Sequence, residues 1–209
     1  MPDLDVTTNF FLVLAIVAGA AVVFTVLLAL ACAVSTVGRR AWRAVAEVLG
    51  PQALLVAWIV SLVTTAGSLY YSEHFHFIPC ELCWYQRILM YPLVVVLGVG
   101  WFRRDKSVWI TALPFVVIGA PVSLYHWLVE RVPSLAESTS CSIEAPCSAP
   151  YFEKLGFVTL AWMCLTSFLL IGSLLAFYIT SSRATSSRPG RSVSPAAPSE
   201  PDPVGTVAG

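Results

Sequence analysis

The stretch that decides the fold is PCELCWYQR, residues 79–87, where one apolar run ends and the next begins. It carries two cysteines three positions apart, Cys80 and Cys83, and a cation, Arg87, one helical turn after the second cysteine. The apolar runs on either side are each about 20 residues long, which is the length that a helix needs to cross a hydrocarbon core of about 30 Å. The pattern therefore places the two cysteines at the edge of a membrane.

Composition supports a membrane protein. Of the 209 residues, 57% are hydrophobic and 11% are charged, and the formal net charge is zero. Soluble domains carry about 25% charged residues, whereas domains that bind nucleic acid are basic. The composition therefore predicts membrane lipid as the surroundings of the chain and argues against nucleic acid as a partner.

Five apolar segments are long enough to span a bilayer, and each must be helical because lipid offers no partners to an open strand edge. They cover approximately residues 10–37, 53–71, 84–102, 107–129 and 157–180. The predicted fold class is an all-α integral membrane protein, a four-helix transmembrane bundle with one extra N-terminal transmembrane helix. Pro92, Pro114 and Pro121 predict kinks in the third and fourth spans.

The chain divides into three predicted regions. Residues 1–50 are an N-terminal transmembrane helix and a basic cytoplasmic loop, and residues 51–180 are a four-helix catalytic core. Residues 181–209 are rich in Ser, Pro, Ala and Gly and are expected to be a disordered cytoplasmic tail. The first span is predicted to be a retained anchor, because it begins with Asp3 and Asp5 and its apolar run exceeds the roughly 7–15 residues of a signal peptide.

Basic residues predict the orientation, because cytoplasmic boundaries carry an excess of Lys and Arg. The boundaries after the first, third and fifth spans hold nine of the 12 basic residues: Arg39, Arg40, Arg43, Arg103, Arg104, Lys106, Arg183, Arg188 and Arg191. The opposite boundaries hold Arg87, Arg131 and Lys154. We therefore expect a multi-pass protein of the plasma membrane, with the N-terminus outside and the C-terminus in the cytoplasm.

This orientation puts two cysteine pairs outside the cell. Cys80 and Cys83 lie in one external segment, and Cys141 and Cys147, in CSIEAPC, lie in the next. Disulfides persist on that oxidising side of the membrane. Two further cysteines within spans, at positions 32 and 164, are interpreted as small apolar packing residues.

Three interpretations of the external cysteines remain open on the residues alone. Local structural bridges would stabilise weakly, because the loops that they close are short and already held by helices. A four-sulfur metal site has the right number of ligands, with His74 and His76 nearby. The third interpretation is a relay of thiol–disulfide exchange.

The surroundings of Cys83 favour the relay. Cys83 begins the third span near the positive end of a helix dipole, and Arg87 lies four residues later on the same helical face. Both charges would stabilise a thiolate, which is the reactive form in thiol–disulfide exchange. Taken alone, Arg87 could instead be an interfacial cation that contacts lipid phosphate.

The motif CELCWYQRILMYP, residues 80–92, followed by the second external pair, resembles the DsbB/BdbC family of disulfide bond formation proteins. The resemblance covers about residues 53–180, and the short C-x5-C interval is similar to the Gram-positive branch. It implies a membrane enzyme, a protein dithiol:quinone oxidoreductase. Such an enzyme reoxidises an extracytoplasmic thioredoxin-fold thiol oxidase of the DsbA/BdbD type and passes the electrons to a quinone, either menaquinone or ubiquinone. The extra first span is not part of the usual four-helix core.

The resemblance also implies roles for individual residues. Cys141 would be attacked by the reduced partner, and the released Cys147 would exchange with Cys80. Cys83 would then be freed as a thiolate at the quinone, with Arg87 stabilising its charge. His126 would lie near the quinone, although an interfacial position beside a tryptophan is an equally simple interpretation. No metal is implied.

Two alternatives to this function stay open. A vitamin K epoxide reductase-like protein also combines a C-x-x-C with a loop pair, but there the loop pair comes first in the sequence, whereas here the C-x-x-C comes first. A non-enzymatic, cysteine-rich metal-binding membrane protein is the alternative from another class.

Overall fold

A computed structural model of the chain describes residues 2–138, 141 and 145–186. Within these ranges the chain forms α1 (Pro2–Val34), α2 (Thr36–Glu73), α3 (Glu81–Arg103), α4 (Val108–Val129), α5 (Pro133–Ser138) and α6 (Leu160–Ser186). All of these except the short α5 are long and apolar enough to cross a membrane. The predicted all-α integral membrane fold with five spans is confirmed.

Four helices form the bundle around one apolar core. α2 packs against α3 and α6, and α4 packs against the same two helices. The largest fully buried side chains of this core come from α3 and α6: Met90, Leu93, Leu97, Phe168, Ile171 and Leu175. Small residues on the facing helices, such as Ala57 and Ala112, are also fully buried, so the backbones approach closely, as is usual between membrane helices.

The segment between α1 and α2 differs from the expectation. The basic stretch around Arg39 and Arg43 was predicted as a loop, but it lies within α2, and Ser35 alone separates α1 from α2. Ser35 is extended, and its Oγ accepts a hydrogen bond from the Gly38 N–H at 2.9 Å, so it caps α2 immediately. A Cβ at Gly38 would clash with the Ala31 carbonyl oxygen, so a glycine is needed for this tight turn.

α1 lies against α2 and α6. Its buried residues are Thr8, Ala15, Val22 and Thr25, at spacings of seven, seven and three positions, as expected for a helix that packs along one seam. At the end that carries the cysteines, Asp5 accepts a hydrogen bond from Lys154 at 3.2 Å. α1 is therefore docked on the bundle along its length.

Two further expectations concern helix interiors and the tail. Pro92, Pro114 and Pro121 lie within continuous helices, and the kinks predicted there stay a prediction. α6 continues to Ser186, so the predicted disordered tail begins inside a helix, while residues 187–209 lie outside the described residues.

Candidate dithiol site and adjoining cavity

The C-x-x-C motif is positioned by the N-terminus of α3. Cys80 is the residue before the first helical turn, with extended dihedrals of φ −69° and ψ 171°. Its Sγ accepts a hydrogen bond from the Cys83 N–H at 3.3 Å, as the side chain of an N-cap residue does with the third helical residue. This spacing therefore places both sulfurs in one turn, at the positive end of the helix dipole.

The two thiols contact each other directly. Cys80 Sγ and Cys83 Sγ are 2.7 Å apart, and either can be the donor. This hydrogen bond, with a second one from His126, lowers the pKa of Cys80 to about 4 in spite of burial, which opposes the shift. Sequence reasoning considered only Cys83 for the stabilised thiolate. In the structure, the hydrogen bonds that stabilise a thiolate converge on Cys80 instead, because the capping sulfur is the one that faces both the helix N-terminus and the imidazole.

A buried acid follows His126 on α4. His126 Nε2 lies 3.6 Å from Cys80 Sγ and 3.9 Å from Oε1 of Glu130, the residue that follows α4, and the two side chains are each 4% exposed. Thr159 Oγ1 donates a 2.6 Å hydrogen bond to Glu130 Oε2. Burial raises the pKa of Glu130, and the bond from Thr159 partly opposes this effect. The sulfur of Cys80 and the carboxyl group of Glu130 therefore both lie beside Nε2 of His126.

The second cysteine pair is bonded and lies beside the first. Cys141 and Cys147 form a disulfide with a Cα–Cα distance of 5.9 Å. Cys147 is buried in one apolar cluster with Cys80, Leu82 and Val129, and Cys83 and Cys141 pack against that cluster. The disulfide between α4 and α6 therefore packs against the N-terminus of α3.

Within the described ranges of the chain, one group of three ligand atoms is close enough together to hold a metal ion. The ligand atoms of Cys80, Cys83 and His126 lie within 4.8 Å of one another. A four-sulfur site would also need Cys141 and Cys147 as thiolates, and these are bonded to each other. Among the residues that the structure describes, neither His74 nor His76 joins this group.

A cavity of about 380 Å³ adjoins the dithiol, between α1, α2, α3 and α6. Cys83, Gln86 and Arg87 form part of its wall. Gln86 is buried, and its Nε2 has no hydrogen-bond partner in the described part of the chain. An orphaned donor in a largely apolar cavity of this size is suited to a ligand with a carbonyl acceptor.

Arg87 is held in the cavity wall by α2. Its Nε donates to Ser68 Oγ and its Nη2 to the Ser68 carbonyl, both at 3.1 Å, and Nη2 also donates to Ser72 Oγ. The guanidinium also lies over the Trp84 ring, 5.5 Å from its centroid. These contacts orient Arg87 toward the protein interior and support a role other than binding lipid phosphate.

The family model of the disulfide bond formation protein DsbB matches residues 50–179, which include both cysteine pairs, Arg87 and His126. The chain belongs to the DsbB family. Membership makes it a membrane protein of disulfide bond formation with oxidoreductase activity. The resemblance seen in the sequence is confirmed, and the vitamin K epoxide reductase-like alternative is not supported.

Curated relatives in this family come from several bacteria. Disulfide bond formation protein C of Bacillus subtilis is 47% identical over 118 residues, which are 56% of this chain and 86% of the relative. A probable disulfide formation protein C of Halalkalibacterium halodurans is 41% identical over 118 residues, with the same shares. A probable disulfide formation protein of Coxiella burnetii is 39% identical over 137 residues, 64% of this chain and 93% of the relative. No solved structure matches the chain.

For this DsbB-family chain, the structure brings the four predicted cysteines together at one end of the bundle. Arg87, which was predicted to lie near a quinone, lies in the cavity wall. His126 instead contacts Cys80 and is not among the residues that line the cavity. Cys164, interpreted as a packing residue, lines the cavity as well. Sequence reasoning missed Gln86 and Glu130, although the i, i+4 spacing of a histidine and a glutamate on one helix is a signal that could have identified the second.

Proposed function

We propose that the chain is a thiol:quinone oxidoreductase that reoxidises an extracytoplasmic thioredoxin-fold thiol oxidase. The observation that supports this proposal is the position of the Cys80–Cys83 pair. Cys83 forms part of the cavity wall, while Cys80 shares an apolar cluster with Cys147 of the second pair. The Cys80–Cys83 dithiol therefore adjoins both the second cysteine pair, from which it would receive electrons, and the cavity that would hold the quinone.

The first exchange takes place at the second pair. Cys141 is partly exposed whereas Cys147 is 3% exposed, so a thiolate of the partner reaches Cys141 more easily. Attack there forms a partner–Cys141 bond and releases Cys147 as a thiolate. The second thiol of the partner then breaks that bond, so the partner leaves as a disulfide and Cys141 becomes a thiolate.

The electrons then pass to the first pair. Cys147 attacks Cys80 in the oxidised Cys80–Cys83 pair, which forms a Cys147–Cys80 bond and frees Cys83. Cys141 next attacks Cys147, which restores the Cys141–Cys147 disulfide and leaves Cys80 and Cys83 as two thiols. A lowered pKa makes Cys80 a good leaving group in this last step.

Residues of the cavity fit a quinone. Cys83 would face its ring, Arg87 would stabilise negative charge, and the unpartnered Gln86 would donate to a carbonyl oxygen. When bound there, menaquinone or ubiquinone would take up two electrons and two protons as it becomes a hydroquinone. The Cys80–Cys83 pair returns to the disulfide, so the net reaction converts a partner dithiol and a quinone into a partner disulfide and a hydroquinone.

The proposed orientation follows from charge. The cysteine end of the bundle would face the outside of the plasma membrane, where disulfides persist, and the C-terminus would lie in the cytoplasm. Arg103, Arg104 and Lys106, between α3 and α4 at the opposite end, favour this direction. Labelling of single introduced cysteines in intact cells with an impermeant maleimide tests it.

The decisive experiment measures quinone reduction by purified protein with an excess of reduced thioredoxin-fold thiol oxidase. We expect wild type to turn over repeatedly and Cys83→Ala to oxidise at most one equivalent of partner. Cys32→Ala, a cysteine of α1 outside the site, is the matched control and should retain turnover. Continued turnover by Cys83→Ala, or none by wild type with either quinone, would refute the proposal.

A second candidate function rests on the three ligand atoms of Cys80, Cys83 and His126 that lie within 4.8 Å of one another. Two thiolates and an imidazole form a site suited to zinc or copper. In this alternative, purified protein would contain about one such ion per chain by elemental analysis, and His126→Ala would lose it. Quinone turnover without bound metal excludes this function.

A further inference from the structure

α1 lies outside the part of the chain that defines the family, yet it reaches the cavity. It precedes residues 50–179, which the family model matches. Six of its residues nevertheless line the cavity together with Cys83 and Arg87: Phe11, Leu14, Ala15, Val17, Ala18 and Ala21. The cavity at the dithiol therefore has one wall that the four-helix core does not supply.

This wall is held in place by specific contacts. The Phe11 ring packs on Gly67 of α2 so closely that a Cβ there would lie 2.6 Å from Phe11 Cζ. Phe11 also lies 5.7 Å from the Tyr71 ring, and Thr8 Oγ1 accepts a hydrogen bond from Tyr71 OH at 3.5 Å. With the Asp5–Lys154 pair, these contacts set the register of α1 on the bundle.

The cavity is long, and its polarity changes along its length. From Phe11 to Ala21 its α1 wall extends over ten residues, or about 15 Å at the rise of an α-helix. Among the polar lining groups, Arg87 and Gln86 lie near the cysteine end, whereas Thr64, Thr166 and Ser167 lie along α2 and α6 between the two ends. At the far end the lining is apolar and comes from Ala21, Ile59 of α2 and Leu170 of α6.

We propose that α1 forms the binding surface for the apolar tail of the quinone and thereby selects quinones that carry a prenyl tail. This inference rests on the proposed function and assigns the tail, rather than the ring, to α1. The ring occupies the polar end at Cys83, and the tail runs along the small side chains of Ala15, Ala18 and Ala21. Alanines leave room for a chain between α1 and α6, where the apolar tail would gain dispersion contacts with a fitted, preformed surface.

The test fills this space from α1 in the full-length chain. Ala18→Trp puts a large ring into the cavity, whereas Ala20→Trp puts the same ring at an exposed position that does not line it. Reduction of menaquinone-4, which has a prenyl tail, is compared with reduction of menadione, which has the same ring without the tail. We expect Ala18→Trp to raise KM for menaquinone-4 by about tenfold or more and to change KM for menadione by less than about threefold, with Ala20→Trp close to wild type for both.

One further readout and one substitute variant keep the test decisive. Stoichiometric oxidation of partner by the Cys141–Cys147 pair needs no quinone, so it should be equal in all three proteins and reports an intact fold. If Ala18→Trp fails to fold, Ala18→Leu replaces it, with a smaller rise in KM expected. Equal KM values for menaquinone-4 in the Ala18 variant and wild type, or an equal rise for both quinones, would overturn the role of α1 while leaving the proposed function intact. Failure of wild type to reduce either quinone would overturn both.

Discussion

Cys80 Sγ lies 3.6 Å from His126 Nε2, and both side chains are buried where the N-terminus of α3 meets the end of α4. This contact joins the first cysteine of the motif to an imidazole 46 residues later in the chain. The imidazole can donate a hydrogen bond to a thiolate, and it carries a positive charge when protonated. His126 is therefore a candidate for setting the reactivity of the dithiol rather than for binding the ring of a quinone.

The first prediction concerns His126→Ala. Because hydrogen bonds from Cys83 and His126 hold the pKa of Cys80 well below that of an ordinary thiol, its alkylation rate in wild type should reach its plateau at a lower pH than that of an exposed cysteine. Loss of the imidazole should move the midpoint to higher pH, although only in part, since the bond from Cys83 is the larger cause. Iodoacetamide labelling over a pH series, with peptide mapping of Cys80, measures this shift.

His74→Ala is the matched control for that measurement, because His74 is exposed at the end of α2. Its labelling curve should overlay that of wild type. Overlap of the His126→Ala curve with wild type as well would contradict a role for His126 at Cys80.

The second prediction concerns Glu130→Gln. Burial raises the folded-state pKa of Glu130 above its ordinary value of 4.5. The protonated carboxyl group therefore makes its full contribution to stability below pH 4.5, and this contribution is lost as pH rises through the raised pKa. The glutamine stays neutral and can still accept from Thr159. We therefore expect Tm of the variant to rise relative to wild type between about pH 4 and pH 7 in detergent.

The groups that surround Glu130 act in both directions: His126 and Arg131 lower its pKa, whereas Cys80 raises it. Glu73→Gln, at an exposed position, controls for the loss of one negative charge. Parallel Tm curves for wild type and Glu130→Gln over this range would show that burial does not determine the protonation of Glu130.

The third prediction concerns Arg87. Arg87→Ala removes a charge-assisted contact, which is worth about 1.5–3 kcal/mol, so we expect KM for quinone to rise by at least about tenfold. Arg87→Lys should not restore it, because lysine cannot reproduce the fork that binds both the Oγ and the carbonyl of Ser68. Stoichiometric oxidation of partner should be unchanged.

Arg103→Ala, at the opposite end of α3, is the control for removal of one cation from the same helix. A quinone KM equal to that of wild type in Arg87→Ala would return Arg87 to a lipid-anchoring role.

The fourth prediction tests how α1 is docked. Gly67→Ala would place a Cβ 2.6 Å from Phe11 Cζ, so the ring must move and the variant should lose about 1–3 kcal/mol of stability. Adding Phe11→Ala removes the clash, so the double variant should be more stable than the sum of the two single changes predicts. Tm values of the four proteins in detergent measure this coupling.

Gly19→Ala is the matched glycine on α1, because its new Cβ would only reach ordinary contact with Thr166 at 4.0 Å. It should leave Tm unchanged or slightly higher. Additive effects of Gly67→Ala and Phe11→Ala would mean that the two residues are not in contact.

Features that depend on local pattern were predicted well. The length of an apolar run decides whether a segment can span a bilayer, so all five spans were identified. Ser35 caps α2 directly after α1, where a loop was predicted. A cap acts over only about three positions, so a hydropathy profile does not reveal it. The pairing of Cys141 with Cys147 and the family of the chain were both implied by CELCWYQRILMYP together with the second pair.

The sequence by itself therefore determined the membrane class, the five membrane-spanning helices and the two cysteine pairs of the candidate site, because each depends on hydropathy or on spacing within a few residues. Only the tertiary structure decided that His126 contacts Cys80, that Glu130 is buried behind it and that α1 supplies a wall of the cavity. These relations join helices far apart in the chain. They depend on how side chains of different helices interlock, which periodicity along one helix does not specify.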